Sequence, residues 1–137
     1  MCPIRVLSAD RAAAARTTLG EIERDWLTAD LPHPPNTYRR VNTNVVMPFV
    51  ADLARDPDIL DVIGGILGPD IMIYATEFFA KEPKTSHVVN IDQDLTYRGL
   101  GAIHGMVPVW VALSPATTES GCMDFVRSSH NNAILPH

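Results

Sequence analysis

The chain has 137 residues, 46% of them apolar and 20% charged, which suits one soluble domain with one core. That balance excludes a disordered segment, and no apolar run is long enough to cross a bilayer. The net charge of −5, from 11 basic and 16 acidic residues with no basic run, argues against a nucleic-acid partner.

The N-terminus, Met1-Cys2-Pro3-Ile4-Arg5, lacks the long apolar segment of a signal peptide. Cys2 and Cys122 form no disulfide framework, so the expected home is a reducing cytoplasm. From Ser8 to Gly68 the pattern reads as helix and loop. Leu19, Ile22 and Trp26 recur at three and four residues and share one helical face. Pro32, Pro34 and Pro35 then form a loop. Met47 to Ala54 reads as a short helix. The next helix is sharply punctuated. Asp56 suits the N-cap, Pro57 the first helical position, and Gly68-Pro69 the stop. Ile59, Ile63, Ile66 and Leu67 form its apolar stripe, and all these apolar residues are expected in the core.

From Ile71 the pattern turns to strand. Ile71 to Ala80 is rich in β-branched and aromatic residues, and Pro83 follows it. Val88–Ile91, Met106–Leu113 and Cys122–Val126 read as three further strands. Gly99 and Gly101 mark one turn, and Ser120-Gly121 another. There is no internal repeat, low-complexity tract or linker. Helices followed by spaced strands predict an α+β domain with a sheet that rolls up.

The chemistry concentrates in the second half. Asp92-Gln93-Asp94-Leu95-Thr96-Tyr97 precedes Trp110-Val111-Ala112-Leu113-Ser114-Pro115-Ala116. Then come Glu119-Ser120-Gly121-Cys122-Met123, Phe125-Val126 and Ser129-His130. On a strand, residues two apart point the same way, so Asp92 and Asp94 are expected to point together. Buried without a cation they would repel one another. With one they make an all-oxygen pair suited to Mg²⁺, Mn²⁺ or Ca²⁺. Taken alone, an Asp-x-Asp reads first as a solvated turn or strand end, and Trp110 reads equally as a core aromatic. Glu77 and Lys81 suit a solvated strand face.

This order of motifs resembles the first part of the metal site in the phytanoyl-CoA dioxygenase family. The resemblance is strong from about Ile71 onward and loose in the helical part. It implies a non-haem Fe(II)/2-oxoglutarate-dependent dioxygenase that hydroxylates a small organic substrate. It also implies one domain over residues 1–137, with a helical region at 1–70 and the first strands of a double-stranded β-helix at 71–137. That fold is a cupin-like jelly roll of eight strands, of which this chain supplies about four. Asp94 stands where the family's metal-binding carboxylate stands. Asp92 stands where its first iron-binding histidine stands. Gln93, Trp110, Glu77 and Lys81 match positions that line the cosubstrate side of the pocket.

The chain departs from the family elsewhere too. Arg98-Gly99-Leu100 replaces Trp-Gly-Leu, and Ser128-Ser129-His130 replaces Gly-Ser-His. Arg98 would place a cation near the Asp pair and could neutralise it without metal. The family's second iron-binding histidine and its 2-oxoglutarate-binding arginine lie downstream of position 137, so the chain is expected to be truncated or degenerate. Among its histidines, His104 could join Asp92 and Asp94 as a third ligand. His33, His87, His104, His130 and His137 all read first as surface residues. A half jelly roll leaves strand edges open, which predicts either a homo-oligomer or an aggregation-prone fragment. Three other readings stay open. One is a non-catalytic binding or interaction module that kept the fold. Another is a different metal enzyme using Asp-x-Asp, as glycosyltransferases do for nucleotide sugars. The third is a structural remnant.

Overall fold

The computed structural model describes residues 3–29, 41–79, 84, 90–94 and 105–131, with backbone only at 27 and 28. The chain divides into two compact units, Met1–Pro83 and Lys84–His137.

The first unit is helical. Helix α1 (Ala9–Thr28) begins with a run of four alanines flanked by arginines, the strongest helix-forming composition available. Ser8 caps it, its hydroxyl accepting from the Arg11 N–H at 3.2 Å. Asp10 in the first turn adds a favourable charge at the positive end of the helix. After Asn42, which takes the left-handed conformation at φ 60°, come the short helices α2 (Thr43–Val46) and α3 (Pro48–Ala54). Helix α4 (Pro57–Leu67) has the boundaries its sequence predicts. Asp56 caps it, accepting from the Asp58 N–H at 3.0 Å, and Pro57 opens it. Gly68 ends it at φ 89°, ψ −176°, a conformation essentially reserved for glycine.

The core of this unit is small. Among the described residues its buried apolar members are Ala15, Leu19, Met47, Val50, Ile59 and Ile63. Ile59 and Ile63 lie four apart, so they occupy one face of α4. Of the residues expected in the core, Ile22 and Leu67 are only half-buried, and Trp26 at 39% and Ile66 at 63% are exposed. Trp26 and Ile66 lie at the C-terminal ends of their helices, and periodic spacing cannot say where the covering chain stops.

Two polar contacts hold the unit together over long sequence separations. Arg11 on α1 donates to Asp56, so the cap of α4 is also an ion pair with α1. Thr76 ties the extended segment after α4 to the start of α2. Its backbone oxygen accepts from the Asn42 N–H, and its hydroxyl accepts from the Asn44 N–H at 2.9 Å. The same hydroxyl donates to the Asn44 side-chain oxygen at 2.8 Å and meets the hydroxyl of the buried Thr43 at 3.0 Å. With its own proton committed to Asn44, Thr76 receives the proton of Thr43. Beside this knot Phe49 of α3 and Phe78 stack, ring centres 6.0 Å apart.

The segment from 71 to 79 runs without helix, and among the described residues no β-ladder is present. The jelly roll therefore rests on the resemblance alone. Parts of the expected strands, at 80 and 88–89, lie outside the described residues, as do Gly99 and Gly101 and the proline loop.

In the second unit the expected turn at Ser120-Gly121 is well defined. Cys122 and Ser120 donate their N–H groups to the Thr117 carbonyl at 3.0 and 3.1 Å, and Gly121 supplies the positive φ of 73°. The Ser120 hydroxyl accepts from the Thr117 N–H at 2.8 Å. A single 3₁₀ turn, Ser129–Asn131, follows. No helix among the described residues is long and apolar enough to cross a membrane.

Candidate functional site

Asp92, Gln93, Asp94 and Trp110 belong to the second unit, Glu77 to the first. Asp92 and Asp94 are both exposed and Gln93 is half-buried. The two carboxylates are therefore open to solvent, and the case of a pair buried together does not apply. Trp110 sits in an extended stretch and is 46% exposed, so it is not a core aromatic. Glu77 is half-buried on the extended segment next to Thr76. Lys81, Arg98 and His104 lie outside the described residues, as do His33, His87 and His137. His130 is exposed on the 3₁₀ turn, the surface position expected of it.

The donor set bears directly on the metal. A non-haem Fe(II) oxygenase site uses two imidazoles and one carboxylate on one face of the ion. At the motif itself this chain offers two carboxylates. Among the described residues no group of three histidine, cysteine or acidic side chains is placed to hold an ion. The residues at the motif do not fit an Fe(II) centre of this class.

Two carboxylates elsewhere in the chain are held below their ordinary range. The Arg11 guanidinium, donating to Asp56, holds that carboxyl below its ordinary range, helped by the Asp58 N–H. Burial pushes the other way, for Asp56 is only 3% exposed. Glu119 is also held low, by its own backbone N–H and by the Thr117 hydroxyl. Both are structural uses of a carboxylate, one at a cap and one at a turn.

One feature escaped the sequence. An open depression of about 820 Å³ lies in the first unit between the end of α3, α4 and the extended segment. Leu60, Ile71, Met72 and Ile73 line it, with Arg55 and Asp61 as its charged members. It could accept an apolar group of an organic molecule. None of the α4 stripe residues Ile59, Ile63, Ile66 and Leu67 lines it, so the periodic pattern, which reads as core, did not point to it.

Comparison with known proteins gives a consistent picture. The family model described as "Phytanoyl-CoA dioxygenase (PhyH)" matches residues 2–137. The chain is 27% identical over 85 residues to a "Phytanoyl-CoA dioxygenase domain-containing protein 1 homolog" of Caenorhabditis briggsae, covering 62% of this chain and 30% of that protein. It is 26% identical over 87 residues to "Phytanoyl-CoA dioxygenase domain-containing protein 1" of Danio rerio, covering 64% and 30%. It is 24% identical over 96 residues to a "Probable phytanoyl-CoA dioxygenase" of Caenorhabditis elegans, covering 66% and 31%. The matched part spans about a third of the length of these curated relatives. No solved structure gives a significant match. With the family model covering nearly the whole sequence, and the Asp94 motif and the Trp110 segment within it, the chain belongs to the phytanoyl-CoA dioxygenase family.

Proposed function

We propose that this chain is a degenerate member of the small-molecule-hydroxylating Fe(II)/2-oxoglutarate-dependent dioxygenases. It follows their jelly-roll plan, and its own metal motif no longer supports oxidation. One observation carries the reading: Asp92 and Asp94, both exposed, stand where the plan needs a histidine and a carboxylate. In intact members Fe(II) and 2-oxoglutarate supply the oxidising chemistry. Here Asp94 keeps the carboxylate role by resemblance, and Gln93 and Trp110 in the same unit match positions of the family's cosubstrate face, as Glu77 and Lys81 do in the first unit.

The test is succinate formation by the purified chain, supplied with Fe(II), ascorbate and 2-oxoglutarate. We expect no succinate above the protein-free control. Iron-dependent turnover would refute the proposal.

The exposure of Met72, Tyr74 and Phe79 along one extended segment favours a second reading, an interaction module that kept the family's plan. Stoichiometric binding of a partner or a second copy without turnover distinguishes it.

A further inference from the structure

We infer that the depression of the first unit is a two-fold contact with a second copy of this chain. Met72 of each copy enters the depression of the other, and Arg55 pairs with Asp61 across the axis. This pairing deepens the interaction reading above by naming the occupant. A two-fold contact uses the same patch on both copies, so the patch must be complementary to itself. This one is so in shape and in charge.

Leu60, Ile71 and Ile73 line the depression, and Met72 on the same wall is 82% exposed. One patch therefore holds an apolar hole and an apolar knob. Methionine is unbranched and flexible, so it adapts to an irregular hole. Gly64 keeps the hole open. It lines the depression from inside α4, where a Cβ would meet the Ile71 Cδ1 at 3.9 Å, an ordinary contact. The chain would thus tolerate a side chain there, and that side chain would take up the knob's space. Arg55 and Asp61 are the charged residues of the lining. Both are exposed, and neither has an ion pair among the described residues. A wholly anionic or wholly cationic ligand would meet one of them as a like charge. A second copy turned about a two-fold axis offers an acid to the base and a base to the acid, and does so twice.

The experiment is sedimentation equilibrium of the full chain at micromolar concentration. The natural protein is compared with Arg55→Asp, with Asp61→Arg, with both exchanges in one chain, and with Gly64→Leu. An equimolar mixture of the two single charge variants is run as well. Circular dichroism checks that all of them fold alike.

The natural chain should be a dimer. Arg55→Asp makes the charges of the patch wholly acidic and Asp61→Arg wholly basic, so each variant alone should dissociate at least about tenfold more readily. Their mixture should form a heterodimer, because unlike patches then meet. Misfolding of a single variant could not produce that recovery. The chain with both exchanges should return to within about threefold of the natural dissociation constant, since the two residues act as a pair. Gly64→Leu should be a monomer although leucine favours a helix over glycine, because its side chain fills the hole. A natural chain that stays monomeric overturns the inference. So do single variants that fail to recover one another when mixed. A dimer that survives Asp61→Arg or Gly64→Leu places the contact elsewhere, which overturns the inference and leaves the interaction reading standing. Succinate formation remains the separate test of the degenerate-enzyme reading.

Discussion

Asp56 carries three tasks with one carboxylate. It caps α4, pairs with Arg11 of α1, and is nearly inaccessible to water. Its folded pKa lies below the ordinary value, so its contribution is fully present above the unfolded aspartate pKa of about 3.9 and is lost as pH falls through the folded value. Asparagine isolates the charge, because it caps helices about as well as aspartate but cannot form the ion pair. We expect Asp56→Asn to be less stable than the natural chain at neutral pH. The gap should narrow as pH falls below about 3.9, since protonation then removes the same charge from the natural protein. Urea titrations at neutral and acid pH would show it, and a gap independent of pH would rule the assignment out.

At the scale of the element, α4 shows burial overriding composition. Gly64 and Gly65 sit inside it, and each glycine is worse than alanine in a helix by about 1 kcal/mol. Its caps and the burial of Ile59 and Ile63 offset that cost. Ile63→Ala should therefore destabilise the chain by about 2–5 kcal/mol. Ile66→Ala, at an exposed position of the same stripe, should stay within about 0.5 kcal/mol. Chemical denaturation of the two variants reads the difference directly. Equal losses would mean that Ile66 is covered in solution, and the assignment of the buried face would fall.

At the scale of the whole molecule, the described residues carry much exposed apolar surface beside six buried apolar side chains. Met72 is 82% exposed, and Ile66, Phe125 and Val126 are largely uncovered too. Water-facing side chains of this size drive association. The proposed outcome is self-association of the purified chain, read by size-exclusion chromatography with light scattering. A cooperative monomer at micromolar concentration would contradict it. A dimer that Met72→Glu disperses would place the extended segment in the contact.

Some of this protein was legible in its sequence because the information is local. The limits of α4 follow from Asp56, Pro57 and Gly68, each acting on backbone groups within a turn of itself. The turn at Ser120-Gly121 follows from a hydroxyl and a glycine in the same way. The family was legible from the Asp94 motif and the Trp110 segment, and the exchange at Asp92 could be read from one letter. Which apolar residues are covered was a tertiary decision. Leu19 and Trp26 share a helical stripe, yet Leu19 is buried and Trp26 is not, because burial depends on where distant segments arrive. The same holds for the pairing of Arg11 with Asp56, for the Thr76 knot with Thr43 and Asn44, and for the depression beside Ile71. Such contacts join residues far apart in the chain. Periodicity fixes only the face a side chain occupies, and packing alone decides what that face meets.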